Sequence, residues 1–240
     1  MMTRAKSRER AVVAIDGPAG AGKSTAARRL AQRLGYVLVD TGALYRGVAL
    51  AAQEAGLSWE DGEALGRLAT DLKLSFRMNE DGAPHLHIDG IDRDSEIRTP
   101  EIAGGASDVS RHPEVRAALL GLQRKLGESG GVVLEGRDIG TVVFTDAEVK
   151  VFLTASAEER ARRRQGDLVA RGQRAEFANI LASIQARDAQ DSSRAVAPLR
   201  AAEDALLLET SHMDLDAVVD RLVELVQSVV RGDKVSAPSG

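Results

Sequence analysis

The stretch that decides the fold is AVVAIDGPAGAGKSTAARRL, residues 11–30. Its first six residues form a short apolar run ending in Asp16, which is typical of a buried parallel strand. The next six are rich in glycine, and Lys23–Leu34 continues as a helical pattern that Gly35 ends. A strand, a glycine-rich loop and a helix in this order predict an anion-binding loop at the end of a strand in a parallel sheet.

This loop fits the phosphate-binding pattern G-x-x-x-x-G-K-[ST]. Glycines let backbone N–H groups converge on an anion, and the positive end of the following helix points at the same place. Lys23 would bring a charge to the terminal phosphates, and Ser24 would offer a hydroxyl to Mg²⁺. Glu135, an acid at the end of a later apolar run, is the second predicted Mg²⁺ ligand. The predicted nucleotide-binding residues are Gly17, Pro18, Ala19, Gly20, Ala21, Gly22, Lys23, Ser24 and Thr25.

Outward from the loop, short apolar runs alternate with helical patterns. Buried strands are predicted at residues 11–16, 36–39, 132–135, 149–154 and 205–209. Such alternation implies an α/β fold, with a parallel central sheet and helices on both faces. Apolar residues at every second position from Leu72 to Met78 predict instead a small antiparallel insert at about residues 70–98. We expect one domain over residues 11–230, with flexible segments at 1–10 and 231–240.

Composition removes several classes of function. The 240 residues include no cysteine, which excludes disulfides, thiol catalysis and cysteine-bound metals. A net charge of −4 and 3% aromatic residues argue against nucleic-acid binding. The apolar runs are too short for a secretion signal or a membrane span, so we expect a cytoplasmic protein without a membrane partner. The basic residues are 26 arginines and 6 lysines, an excess that fits phosphate recognition or simple compositional bias.

Several arginines stand where a phosphate-rich substrate pair would need positive charge. Transfer of a phosphoryl group between nucleotides requires charge beyond that of one loop, because the acceptor phosphate must approach the donor. Arg46 follows the second predicted strand, and Arg187 and Arg194 lie near the end of a late helix. Arg137 is the strongest candidate, since Gly-Arg-Asp at the carboxyl end of a central strand lies where parallel sheets bind ligands.

A cluster of arginines at residues 160–164 precedes a stretch interpreted as a linker, residues 165–173. We expect a mobile lid here, at about residues 163–175, whose arginines close over the donor nucleotide. Arg160, Arg163 and Arg164 are the candidates, and Arg164 is our choice for the catalytic one. A solvated helix face is the competing interpretation.

Five motifs occur in order along nearly the whole chain. They are GPAGAGKST (17–25), VDTGALYRG (39–47), LEGRDIGTVVF (134–144), RDAQDSSR (187–194) and AVAPL (195–199). Together they resemble the bacterial cytidylate kinases, a family of nucleoside monophosphate kinases. Many families share the first motif, whereas D-T-G-A-L-Y-R and G-R-D-I-G-T are far more specific. Departures are minor, such as Thr41 where some members have serine.

The resemblance implies a P-loop nucleoside monophosphate kinase fold with an acceptor-side insert and a short lid. It implies transfer of the γ-phosphoryl group of ATP to CMP or dCMP in the presence of Mg²⁺, by a chain that we expect to be monomeric. Lys23, Arg137 and Arg194 would join Arg164 in catalysis. The acceptor nucleotide would bind to Thr41, Arg46, Ser107, Arg116, Arg137, Asp138, Arg187, Asp191 and Arg194. Among these, Asp138, Ser107 and Arg116 would read cytosine.

Two alternatives remain open from the residues alone. One is a related kinase with another acceptor, such as UMP or shikimate. The other is a nucleotide-dependent switch without turnover, although the guanine-reading Asn-Lys-x-Asp tetrapeptide does not occur in the sequence. A nucleic-acid role is weaker than either, given the charge and the few aromatic residues.

Overall fold

The structure is a computed structural model that describes residues 10–79, 83–170, 172–174 and 176–232. Most of the two predicted end segments lies outside these residues, as do residues 80–82 of the predicted insert and two positions of the predicted lid. No helix within the described ranges is both long and apolar enough to cross a membrane.

Strands and helices follow each other along the chain. The strands are β1 (Val12–Asp16), β2 (Val37–Asp40), β3 (Leu74–Met78), β4 (Pro84–Ile88), β5 (Ile91–Asp92), β6 (Val132–Glu135), β7 (Val149–Thr154) and β8 (Leu206–Glu209). The helices are α1 (Lys23–Leu34), α2 (Thr41–Glu54), α3 (Gly62–Asp71), α4 (Pro100–Val109), α5 (Pro113–Gly127), α6 (Ala157–Ala170), α7 (Phe177–Ser192) and α8 (Leu215–Arg231). The chain divides into two compact units, and the second comprises Val39–Glu128.

The first unit is built on a five-stranded sheet with the order β2-β6-β1-β7-β8. β1 pairs in parallel with both β6 and β7, and β7 pairs in parallel with β8. Helix α1 contacts β6, and α8 contacts both β7 and α1. Ile15, Leu30, Val133, Leu153 and Leu222 are among the buried side chains of this core. The predicted α/β fold with a parallel sheet is confirmed.

The second unit combines helices α2 to α5 with the antiparallel sheet β3-β4-β5. Its core includes the fully buried side chains of Leu44, Leu65, Leu86 and Ile97. The antiparallel hairpin was predicted, but the segment at 70–98 is only part of a larger unit. Helix α4 starts as its sequence indicates, since Thr99 Oγ1 accepts a hydrogen bond from Ile102 N at 3.2 Å and proline occupies the first turn.

The stretch interpreted as a linker is mostly helical. Helix α6 runs to Ala170, through the first six residues of the stretch at 165–173, so that part of the prediction is wrong. Gly166 suggested a linker because glycine is a weak helix former. Relative to alanine, however, a glycine inside a helix costs only about 1 kcal/mol. Packing of α6 against α7, through Ala161, Ile180 and Ile184, outweighs that cost.

Candidate functional site

The glycine-rich loop lies directly against the end of a neighbouring strand. Gly17 has a φ of 146°, and a Cβ atom there would fall 2.0 Å from the carbonyl oxygen of Leu153 at the end of β7. Gly20 and Gly22 also have positive φ, of 75° and 90°. Any side chain at position 17 would therefore push the loop away from the sheet, which explains the glycine.

Lys23 is buried at the start of α1, where its Nζ donates to the carbonyl oxygen of Pro18 at 2.7 Å. Burial lowers the pKa of Lys23 to about 7, and the charges of Arg137 and Arg187 act in the same direction. Glu135 and Asp16 oppose this shift without cancelling it. A buried ammonium with so few compensating anions is an environment that an incoming anion would stabilise.

Ser24 and Glu135, the two predicted Mg²⁺ ligands, are hydrogen-bonded to each other. The Ser24 hydroxyl donates to Glu135 Oε2 at 2.8 Å, and Glu135 is the last residue of β6. A hydroxyl and a carboxylate beside a phosphate-binding loop are oxygen donors of the kind that Mg²⁺ prefers. The residues present therefore fit the metal that the loop pattern implies.

The turn after β6 is held by a residue that sequence reasoning missed. Asp16, at the end of β1, accepts hydrogen bonds from the backbone N–H groups of Ile139 and Gly140, each at 2.8 Å. One strand residue earlier, Ile15 O accepts from Gly136 N at 3.0 Å. Ile139–Val143 forms a π-helical turn, a rare conformation that is common at functional sites. The available signal was an acid at the end of a buried apolar strand.

Burial dominates the electrostatics of Asp16. It raises the pKa of this carboxyl from 3.8 to about 6, despite the hydrogen bonds from Gly140 and Ile139 that act in the opposite direction. The nearby charge of Asp138 raises the pKa further, and that of Lys23 lowers it. At neutral pH the carboxylate is ionised and can accept both backbone hydrogen bonds.

A buried carboxylate organises two of the predicted phosphate-binding arginines. Asp191 Oδ2 accepts from Arg137 Nε at 3.0 Å, and Asp191 Oδ1 accepts from Arg194. Only 1% of Asp191 is exposed. Arg187 lies one helical turn earlier on α7, and Asp138 is buried directly after Arg137. These five predicted acceptor residues belong to the first unit.

The remaining predicted acceptor residues belong to the second unit. Thr41 is buried at the start of α2, and Arg46 Nη2 donates to Asp40 Oδ2 at 2.6 Å. Burial raises the pKa of Asp40, but Arg46, Arg98 and a hydrogen bond from Ala43 together hold that pKa below its ordinary value. Arg46 Nε is buried and has no hydrogen-bond partner among the described residues, so it retains a donor for a ligand.

Ser107 and Arg116 are buried on consecutive helices of the second unit. The Arg116 guanidinium lies over the ring of Tyr45, 5.7 Å from its centroid, and Nη1 donates to Ser110 O at 3.3 Å. Ser107 Oγ has no hydrogen-bond partner within the part of the chain that the structure describes. A buried hydroxyl without a partner costs free energy, which a polar ligand could recover.

The three lid arginines have different surroundings. Arg160 is buried and donates to Ala155 O, Ala19 O and both carboxylate oxygens of Asp188. Arg163 also reaches the loop backbone, where Nη1 donates to Ala21 O at 3.4 Å. Arg164 is exposed and makes no ion pair within the described ranges. Arg160 therefore spends most of its donors on holding protein groups, whereas Arg164 remains available.

The sequence of this chain matches a known protein family over most of its length. The family model described as "Cytidylate kinase" matches residues 13–228. The chain belongs to the cytidylate kinase family. A cytidylate kinase from Syntrophotalea carbinolica is 53% identical over 215 residues, covering 90% of this chain and 91% of the relative. One from Exiguobacterium sibiricum is 48% identical over 219 residues, covering 91% and 98%.

Solved structures support the fold of this cytidylate kinase family member. An uncharacterised protein from Eubacterium ventriosum has a TM-score of 0.52 at 13% identity, with 91% of this chain and 99% of that chain covered. At this identity the likeness concerns the fold alone. The expected family is confirmed, and the parallel sheet with its phosphate loop agrees with the P-loop nucleoside monophosphate kinase fold that the family implies.

Proposed function

We propose that this chain transfers the γ-phosphoryl group of ATP to CMP or dCMP, giving ADP and CDP or dCDP in pyrimidine nucleotide metabolism. The carrying observation is family membership over residues 13–228, with relatives named cytidylate kinase. The geometry supports it, because Gly136-Arg137-Asp138 follows β6, the strand beside β1 and its phosphate loop. A cytoplasmic location and a monomeric state are further parts of the proposal.

On the donor side, the loop residues 17–25 would bind the phosphates of ATP. Its backbone N–H groups and the start of α1 supply partial positive charge, and Lys23 supplies a full charge once an anion is bound. Ser24 and Glu135 would hold Mg²⁺, directly or through water. When bound, the metal would neutralise charge on the phosphate oxygens.

On the acceptor side, the chemistry of cytosine fits Asp138. The N4 amino group of cytosine is a donor, and a carboxylate can accept from it. Uracil presents an acceptor at that position, so its oxygen would face the carboxylate across a desolvated gap. A site built to pair with a substrate N–H rejects an analogue that lacks it. Arg116 would donate to the ring, and Ser107 Oγ has the free capacity to add a hydrogen bond.

Arg46, Arg137 and Arg194 would bind the acceptor phosphate, Arg187 and Asp191 would bind the ribose, and Thr41 would contact the nucleotide near its sugar and phosphate. Asp191 already holds Arg137 and Arg194. This arrangement fixes two guanidinium groups in place before any phosphate arrives, and fixed donors bind anions at a lower entropic cost. The arginines would thus act as a preformed phosphate site.

No side-chain base is required for the transfer. The phosphate of CMP is already an anionic nucleophile at neutral pH, so catalysis consists of positioning and charge neutralisation. Lys23, Arg137 and Arg194 supply the positive charge, with Arg164 joining them from α6. Closure of a lid at about residues 163–175 would exclude water and so suppress hydrolysis of ATP.

The proposal is tested by measuring ADP release from ATP with CMP, dCMP, UMP, AMP or shikimate as acceptor. We expect rapid release with CMP and dCMP and at most slow release with the others. Preference for UMP or shikimate would establish the related-kinase alternative. Tight nucleotide binding without acceptor-dependent release would establish the switch alternative.

The Lys23→Ala variant tests the assignment of the donor site in the same assay. We expect kcat to fall at least about a hundredfold, as for removal of other groups that stabilise transition-state charge. Lys125→Ala, an exposed lysine on α5, is the control and should keep full turnover. Circular dichroism should show both variants folded, and a folded Lys23→Ala protein with normal turnover would contradict the donor-site assignment.

A further inference from the structure

Asp16 is a buried carboxylate of the first unit that binds backbone far away along the chain. Its two oxygens each accept a backbone N–H, from residues 123 and 124 positions further along the chain. Only 5% of the residue is exposed. Burying an ionised group costs free energy, and hydrogen bonds to the group must offset that cost.

The two amides belong to the segment that carries the proposed acceptor contacts. Ile139 follows Asp138 and lies two residues after Arg137, and it starts the π-helical turn. The π-turn does not follow the regular α-helical hydrogen-bond pattern. Asp16 accepts the two N–H groups at its beginning. Moving Asp16 would therefore move the start of the turn and the residues just before it.

The other side of the turn is tightly packed as well. A Cβ added at Gly140 would lie 3.2 Å from Lys150 Cδ and 3.4 Å from Asp16 Oδ2. Lys150 is itself fixed, since its Nζ donates to Thr145 O at 2.7 Å and to Asp204. The turn thus lies between a carboxylate on β1 and a lysine stem on β7, and a side chain at Gly140 would crowd both.

We infer that Asp16 is a positioning residue for the acceptor nucleotide, which acts by fixing the turn that presents Arg137 and Asp138. This inference rests on the proposed function. The position of a guanidinium or carboxylate matters at the scale of about 1 Å, because a small misplacement weakens its hydrogen bonds to the bound nucleotide and so raises KM for that nucleotide. Asp16 itself need not touch either nucleotide.

Asp16→Asn is the sharpest test, since it keeps the size of the side chain. Its carbonyl can accept from one amide, but its NH₂ group would face the other amide as a donor against a donor. We expect kcat/KM for CMP to fall about 10- to 100-fold, the range set by one lost hydrogen bond to a charged group. KM for ATP should change by less than about threefold, and the preference for CMP over UMP should shrink.

Glu148→Gln is the matched control. Glu148 Oε2 also accepts a backbone N–H, from Val12 at 2.8 Å, but at the start of β1 rather than at its end. The substitution removes a comparable carboxylate–backbone interaction away from the turn. We expect CMP and ATP kinetics close to those of the unmodified protein, even if the melting temperature falls.

The outcomes separate the inference from the function on which it rests. Equal losses for CMP and ATP, a lower kcat with unchanged KM values, or kinetics like those of Glu148→Gln would overturn the inference alone. Absence of CMP-dependent ADP release in the unmodified protein would overturn the proposed function and the inference with it. Should Asp16→Asn fail to fold, Gly140→Ala, which crowds the same turn from within, decides by the same KM comparison.

Discussion

Single buried charges connect the phosphate loop with the turn after β6. Lys23 and Asp16 lie at the two ends of the loop, and each shifts the pKa of the other. Burial pushes both groups toward their neutral forms, so neither charge is sustained by solvent. These two side chains are stabilised instead by hydrogen bonds to backbone: Lys23 Nζ donates to Pro18 O, and Asp16 accepts from two amides.

The raised pKa of Asp16 predicts a specific pH dependence of stability. Between 3.8 and about 6 the folded state holds a proton that the unfolded state has lost, so this group favours folding most at low pH. Its contribution is full below pH 3.8 and is lost as pH rises through 6. The corresponding change in unfolding free energy is about 3 kcal/mol.

Urea unfolding of the unmodified protein and of Asp16→Asn from pH 4 to pH 8 would measure this effect. The stability difference, unmodified minus variant, should decrease as pH rises from 4 to about 6. Asp138 and Lys23 are the other charged groups that act on Asp16, and both are present in each protein. A difference that is independent of pH, or that grows with pH, would contradict the prediction.

The sequence predicted Lys23, Ser24 and Glu135 because their roles follow from a local pattern and its flanks. Asp16 escaped prediction for a physical reason. Its partners are backbone amides more than 120 residues away. Every residue except proline carries a backbone N–H, so the residue types at positions 139 and 140 do not indicate the contact. Only the strand order, which brings β6 beside β1, reveals the contact.

At the scale of elements, the Arg160 guanidinium joins the pair α6 and α7 to the phosphate loop. Arg160 on α6 binds Asp188 on α7 through both carboxylate oxygens, at 3.0 and 2.6 Å, and donates to Ala19 O of the loop at 3.0 Å. A planar fork matched to a carboxylate is the geometry that arginine satisfies and lysine does not. Arg160 therefore links both helices to the loop.

Replacement of Arg160 should weaken that link. We expect Arg160→Ala to lower the free energy of unfolding by about 3–5 kcal/mol, because Asp188 loses its partner in a half-buried position. Arg162→Ala is the control, since Arg162 is exposed and pairs with Glu159 on its own helix, and it should cost less than about 1 kcal/mol. Chemical denaturation measures both, and equal costs would argue against an anchoring role.

Prediction of this region from sequence was partly successful. The arginine cluster at residues 160–164 was recognised, but residues 165–170 were interpreted as a linker although they continue helix α6. Arg160, Arg163 and Arg164 were all candidates for contacting ATP, with Arg164 chosen as the catalytic one. Burial separates them, and burial depends on α7, which packs against α6 from outside the local pattern.

At the scale of the whole molecule, ion pairs account for part of the arginine excess. Arg29 and Arg33 on α1 pair with Asp216 and Asp220 on α8, and Arg67 pairs with Glu63 on α3. These pairs are exposed and contribute little to stability. The cohesion of the first unit comes instead from the apolar residues that α1 and α8 bury on the sheet.

Two substitutions on α8 compare the contribution of a buried apolar residue to stability with that of an exposed ion pair. Leu222 is fully buried, so Leu222→Ala should lower the unfolding free energy of the protein by about 2–5 kcal/mol. Asp216→Asn, which removes an exposed ion pair on the same helix, should lower it by less than about 1 kcal/mol. Urea unfolding at low and high salt measures both, and a larger cost for Asp216→Asn would reverse the ranking.

The contact between Gly17 and the carbonyl group of Leu153 has a consequence for the thermodynamics of nucleotide binding. Because main chain lies against main chain there, the loop keeps its shape through the sheet itself rather than through the ligand that it binds. Little conformational entropy is then lost when phosphate arrives, and the heat of binding should arise mainly from charge and hydrogen bonding.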